Sequence, residues 1–212
     1  MTDDALVGRA VLLAGGTSAA GRAAARRLAD GGARVIVVGR DPRKLAALAG
    51  EGFETIEVDL ADEGEVRTLA SSAGAIDGLL HLVGGWRGGG GIPGQSEEDH
   101  RFLESSFTSL RLVTRALWPS FVASSRARVA IVSSTAVARP RAGGASYAAV
   151  KAASEAWTRA LADGFAKEAP SAAATIFRVT ALAGREERLA DAYADLWAAD
   201  AAAVNDRVVE LA

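Results

Sequence analysis

Cysteine is absent from the 212 residues, and histidine occurs only twice, at His81 and His100. Without a thiol, disulfides and thiolate chemistry are excluded, and two isolated imidazoles give no ligand pattern, so no metal is expected. No run of about 18 apolar residues occurs, so no membrane-spanning helix is expected. Charge of one sign is also missing: 24 Lys and Arg oppose 26 Asp and Glu, a net charge of −2. With no basic field, neither nucleic acid nor a membrane surface is an expected partner. The cations are nearly all arginine and alanine is abundant, which reads as coding bias rather than as a phosphate-binding surface. The acidic opening Met1-Thr2-Asp3-Asp4 has no export-signal pattern. Together with the lack of cysteine, this leads to the expectation of a soluble, cytoplasmic protein.

What is present is a globular composition. Half of the residues are apolar and 24% are charged, and no compositional break divides the chain, so one domain over 1–212 is expected. Short β-branched runs predict strands at 10–14, 34–38, 54–58, 78–83, 129–133 and 174–179. Alanine-rich helical stretches alternate with them, at 20–30, 42–49, 62–72, 97–122 and 146–167. Such alternation defines an α/β class: a doubly wound parallel sheet of about six strands with helices on both faces. After Val179 the pattern predicts two amphipathic helices and no seventh strand. The first presents Leu189, Tyr193, Leu196 and Trp197, and the second, capped by Asp200, carries Val204, Val208 and Leu211. Seven glycines among residues 84–94 exclude a regular element and place a loop directly after the fourth strand.

Strand ends carry the first functional signal. The first strand runs into Gly15-Gly16-Thr17-Ser18-Ala19-Ala20-Gly21, and a helix follows. Glycines there let the backbone approach a pyrophosphate, and the free amides at the helix start attract the anion. Gly15, Thr17, Ser18, Ala20 and Gly21 are therefore candidate cofactor-binding residues, although tight strand-to-helix turns use glycine anyway. The second strand ends in Gly39-Arg40-Asp41. Arg40 suits a ribose 2′-phosphate, which favours NADP, with NAD as the alternative. Asp41 reads as the N-cap of the helix opening at Pro42. Asp59, in Val58-Asp59-Leu60, can accept from an adenine amino group or cap the next helix.

The second signal is Tyr147, four residues before Lys151 and thirteen after Ser134. A phenol with a pKa of about 10 needs a neighbouring cation to pass a proton near neutrality. Residues four apart share a helix face, so Lys151 can be that cation, and Ser134 at a strand end can hold a substrate oxygen. With two tyrosines, an accidental Tyr-x-x-x-Lys has a probability of roughly 3%. Trp86 in the glycine-rich loop can roof a site here or anchor the loop. Arg139 and Arg141 can favour an acidic substrate or remain exposed charge.

In their order and spacing, these pieces resemble the short-chain dehydrogenase/reductase family over nearly the whole chain: the turn at 15–21, Asp59-Leu60, Gly84, Ser134, Tyr147-Ala148-Ala149-Val150-Lys151 and the strand ending near Thr180. The resemblance implies a Rossmann fold and hydride transfer to or from a small carbonyl substrate. It makes Tyr147 the general acid/base and Ser134 the carbonyl-orienting group, while Lys151 lowers the phenol pKa and binds the nicotinamide ribose. It places Val83, Gly84 and Thr180 against the cofactor, and it pairs the helices at 97–122 and 146–167 across a homodimer axis. Without a last strand, a tetramer contact through that strand is not expected.

The chain also departs from the family pattern. Ala19 replaces the middle glycine of the turn, His81-Leu82-Val83-Gly84 replaces Asn-Asn-Ala-Gly, and Ser106 stands where an asparagine holds a relay water. The Gly-Gly-Trp-x-Gly-Gly pattern at 84–89 and Val179-Thr180-x-Leu182 are similar to quinonoid dihydropteridine reductases, which adds conjugated imines and quinonoid compounds to the expected substrates. Arg40 departs from the acidic residue of an NADH-using member of that subgroup. The departures motivate a second reading, a dinucleotide-binding sensor or assembly module with little catalysis.

Overall fold

All seven strands run parallel, so every carboxyl end emerges at one edge of the sheet. A computed structural model describes residues 5–211; the acidic opening at 1–4, with its reading as no export signal, and Ala212 lie outside the described residues. The strands are β1 (Ala10–Ala14), β2 (Arg34–Gly39), β3 (Glu54–Glu57), β4 (Gly78–His81), β5 (Arg128–Ser134), β6 (Ala173–Val179) and β7 (Arg207–Glu210). Their order across the sheet is β3-β2-β1-β4-β5-β6-β7. The order reverses between β1 and β4, and a doubly wound sheet opens a ligand crevice at that point. Among the described residues, no helix is long and apolar enough to cross a membrane.

The helices are α1 (Ala19–Asp30), α2 (Pro42–Gly50), α3 (Glu63–Ser72), α4 (Glu97–Ala123), α5 (Ala145–Glu168), α6 (Glu186–Asp195) and α7 (Ala201–Val204). Alternate strand residues feed opposite layers. Leu12, Ala14, Ile36 and Val38 pack with Leu117 and Phe121 of α4 and Phe165 of α5. Val11, Leu13, Val35 and Val37 pack on the other side with Leu28 of α1, Leu48 of α2 and Tyr193 of α6. Burial on both faces explains why these strands read as continuous apolar runs.

Four helices start on side-chain caps, α4 among them through Ser96 Oγ, which accepts from the Asp99 amide. Ser18 Oγ accepts from the Gly21 amide, Asp41 from the Arg43 and Lys44 amides, and Asp62 from the Glu65 amide. The cap reading of Asp41 therefore holds. Asp59 does not cap α3; its Oδ1 accepts from the Ala61 amide at 2.9 Å, in the turn before that helix.

The sheet has seven strands rather than about six, and the correction lies in the tail. Leu189, Tyr193, Leu196 and Trp197 are all buried along α6 and its end, as their spacing predicts. The second tail helix stops at Val204, and Asp200 makes no side-chain cap bond. Asp206 takes a φ of 56° and turns the chain into β7, where Val208 pairs with Ile176. Val204, Val208 and Leu211 have helical spacing, but tertiary bonds overrule it. Asn205 Oδ1 accepts from the Ala174 amide at 3.0 Å and its Nδ2 donates to the Ala162 carbonyl at 2.9 Å, holding the segment at the β6 edge. With β7 present, the argument against a tetramer contact through a last strand loses its premise.

Arg128 locks the other end of this tail. It is 1% exposed, and its guanidinium donates only to main-chain carbonyls: Leu196 at 2.7 Å, and Ala127, Ser171 and Ala199 at 2.8 Å each. Burial, reinforced by the nearby Arg126 cation, brings its pKa down to about 10, so it stays charged near neutrality. Arg128→Ala strands these carbonyls, and we expect a loss of about 3 kcal/mol, read from the urea unfolding midpoint. A midpoint equal to that of the unmodified chain would refute this role.

Candidate active site

The turn after β1 is set by close backbone packing. Gly15 has a φ of +74°, and a Cβ on Gly21 would collide with the main chain of Gly16. Ala19, where the family pattern has glycine, is the first residue of α1 with an ordinary negative φ, so the replacement imposes no backbone strain. As the first residues of the helix, Ala19 and Ala20 have amides with no intrahelical acceptor.

Gly15, Thr17, Ser18, Arg40, Asp59 and Leu60 line one cleft of about 420 Å³, which also takes in Leu82, Val83 and Gly84. Those last three residues also line a larger cleft of about 1020 Å³ with Ser134, Tyr147, Lys151 and Thr180. The two clefts therefore meet at the end of β4. Ala20 and Gly21 lie behind the wall, buried in the first turn of α1. Ser106 lines neither cleft, although its Cβ would lie 3.3 Å from a Cβ placed on Gly84. Lys44, absent from the sequence-based candidates, lines the smaller cleft beside Arg40. Spacing gave no signal for it, because Arg40 precedes the Asp41 cap and lies outside α2. Arg40 is exposed and stands 3.6 Å from Asp59.

At the reactive end, Ser134 closes β5 and its Oγ accepts from the Ala136 amide at 3.2 Å. Tyr147 and Lys151 lie one turn apart on α5, with the ammonium 5.9 Å from the phenol ring centroid. Lys151 Nζ donates to the Val132 carbonyl at 2.8 Å. Burial brings its pKa down to about 8, against an upward pull from Glu155. Burial also holds the Tyr147 phenol above its ordinary value, and hydrogen bonding with Ser134 pulls it back. The lowering expected from Lys151 is thus not what dominates. The ammonium is turned toward a carbonyl, and desolvation of the phenolate is the larger effect.

Ser106 Oγ donates to the Leu103 carbonyl at 2.6 Å, so its proton is committed to its own helix. Ser109 donates to the Ser106 carbonyl at 2.8 Å and meets His81 Nε2 at 3.0 Å. That network makes His81 Nε2 the donor. Burial, then the Lys151 ammonium, lowers the His81 pKa to about 3, so the ring is a neutral structural strut.

The glycine-rich loop closes over this end. The Gly89 amide donates to the Gly143 carbonyl at 2.7 Å, and a Cβ on Gly88 would strike that same carbonyl. Gln95 Nε2 donates to the carbonyls of Gly89, Gly91 and Gly143, while its Oε1 accepts from the Ser146 amide at the start of α5. Gln95 carried no sequence signal, because its role exists only between two loops. Trp86 lines the cleft and is 60% exposed, which fits a roof better than a core anchor.

This architecture has known counterparts. The short chain dehydrogenase model matches residues 9–198, and the chain belongs to that family. It is 32% identical over 150 residues, 67% of its length, to the NADP-dependent 3-hydroxy acid dehydrogenase YdfG of Salmonella typhi. The match spans 60% of that relative's own length. Among solved structures, it resembles serine dehydrogenase from Escherichia coli with a TM-score of 0.86 and 25% identity, covering 95% of this chain and 96% of that one. A gluconate 5-dehydrogenase from Burkholderia cenocepacia, in complex with NADP and tartrate, shares the fold with a TM-score of 0.83 at 22% identity, covering 100% of this chain and 97% of the other.

The packed turn predicts a contrast between two glycines. Gly21→Ala should lower stability by about 1–3 kcal/mol through overpacking. Gly50→Ala, with nothing within 4 Å of the added carbon, should not. Thermal unfolding of both variants checks this, and equal midpoints would contradict it.

Proposed function

We propose that the chain works as one domain, an NADP(H)-dependent oxidoreductase acting on a small carbonyl, conjugated imine or quinonoid substrate. The observation that carries this reading is the meeting of two clefts, one built on the glycine turn and one holding Ser134, Tyr147 and Lys151. The close turn at Gly15 and the unpaired first amides of α1 fit a pyrophosphate, and Val83, Gly84, Lys151 and Thr180 fit the nicotinamide half. A bound nicotinamide dinucleotide supplies or accepts the hydride. Ser134 orients the substrate oxygen through its hydroxyl. Tyr147, a phenol that is protonated near neutrality and that burial holds above its ordinary value, gives that oxygen its proton during reduction. Lys151 holds the ribose and positions the proton donor, anchored by the Val132 carbonyl. Ser106 braces the Gly84 turn and offers a relay water only its oxygen lone pairs, since its proton is spent within α4.

Arg40 supports NADP over NAD: it is exposed beside Lys44, while Asp41 is occupied as a helix cap. The name of the Salmonella typhi relative, an NADP-dependent enzyme, agrees with this. A homodimer through α4 and α5 is supported by the apolar groove that Trp118, Trp157 and Leu161 form on those helices.

Tyr147→Phe should abolish turnover, by at least about a thousandfold, while NADPH still binds with nearly unchanged affinity. Turnover at the original rate would sink the assignment, and retained binding without turnover of any substrate by the unmodified chain would favour the sensor reading. Arg40→Ala should cost about tenfold or more in NADPH affinity, the loss of one charge-assisted contact, and little in NADH affinity. Equal binding of both cofactors by the unmodified chain would overturn the NADP preference.

A further inference from the structure

The cleft that holds Tyr147 is lined by charge of one sign. The chain carries a net charge of −2, yet the charged residues lining this cleft are Arg139, Arg141 and Lys151, with no aspartate or glutamate. Lys151 is engaged by a carbonyl. Arg139 and Arg141 are exposed, and among the described residues neither side chain has an ion pair or hydrogen bond. Arg22, Arg26 and Arg34 are matched to Glu51 and Glu54, and the exposed, unmatched Arg43, Arg67 and Arg101 do not line this cleft. Two exposed guanidinium groups line one cleft that has no acid in its lining, so an anion from outside is what would balance them. Trp86 and Leu182 line the same cleft and give that anion an apolar neighbour.

We infer that the substrate is an anionic oxo compound whose carboxylate is held by Arg139 and Arg141 while its carbonyl faces Ser134 and Tyr147. The inference rests on the oxidoreductase reading and narrows it to a substrate class. A planar guanidinium matches a carboxylate through two parallel hydrogen bonds, so the pair fixes orientation as well as charge. The arginines are specificity-determining residues and take no part in the proton or hydride transfer.

The test compares 2-, 3- and 4-oxo acids with their methyl esters at saturating cofactor. The acids should have the higher kcat/KM, and Arg139→Gln/Arg141→Gln should reduce the acid-to-ester ratio by roughly tenfold to a hundredfold through KM. Esters used as well as acids, or an unchanged ratio in the double variant, would overturn the inference. A second readout needs no turnover: benzoate should quench the tryptophan fluorescence, benzamide should not, and the double variant should lose the benzoate response. An identical response to both probes would also overturn it. Selective benzoate binding without turnover of any panel member would support the anion site and count against the oxidoreductase reading instead.

Discussion

The carboxylate of Glu155 holds the helix that carries Tyr147 and Lys151 against two strands. It is 3% exposed; Ser133 of β5 donates to it at 2.7 Å, and Arg178 of β6 grips it at 2.7 and 2.6 Å. Arg178 also reaches Glu210 of β7 at 3.7 Å. Burial pushes the Glu155 carboxyl upward, but the hydrogen bonds from Arg178 and Ser133 outweigh it and keep the group ionised. A buried charge left without its partner costs on the order of 3–5 kcal/mol. Slippage of α5 by one turn would incur that cost, so the ion pair also sets the register of Lys151 against the Val132 carbonyl and of Tyr147 beside Ser134.

A parallel sheet supplies the second constraint. Because every strand ends on the same edge, residues from the ends of β1, β2, β4, β5 and β6 line adjoining clefts although they are far apart in sequence. The glycine-rich loop is tied across that edge by the Gln95 side chain and by the bond from the Gly89 amide to the Gly143 carbonyl. The loop is therefore ordered by hydrogen bonds to main-chain carbonyls while its large side chain, Trp86, remains exposed. The result is a cleft with an apolar and cationic wall, roofed by a segment with little core contact.

Most of the architecture was legible because local and global preferences agree. The six predicted strands fall within a residue or two of their observed bounds, since strands buried on both faces are continuous apolar runs. The exceptions share a cause. Asp59 was ambiguous because Asp59 and Asp62 both precede α3, and only the path of the turn gives the cap to Asp62. β7 was missed because Val204, Val208 and Leu211 keep helical spacing, and Asn205 overrides it through bonds to residues 31 and 43 positions away. The phenol pKa ran opposite to the sequence expectation because desolvation is a property of the folded surroundings, not of the Tyr-x-x-x-Lys spacing.

The amino-acid order alone determined the α/β alternation, the glycine turn, the placement of Ser134, Tyr147 and Lys151 at a strand end and on one helix face, and through them the family. These follow from periodicity and short-range spacing, which need no partner segment to be read. Only the tertiary structure decided that Ser106 spends its proton within α4, that Lys44 and Arg40 line one cleft with Asp59, that Gln95 ties down the loop, and that the reactive cleft is lined by cations without an acid. Each of these depends on which distant groups burial brings within hydrogen-bonding or charge range, and spacing along the chain carries no record of that.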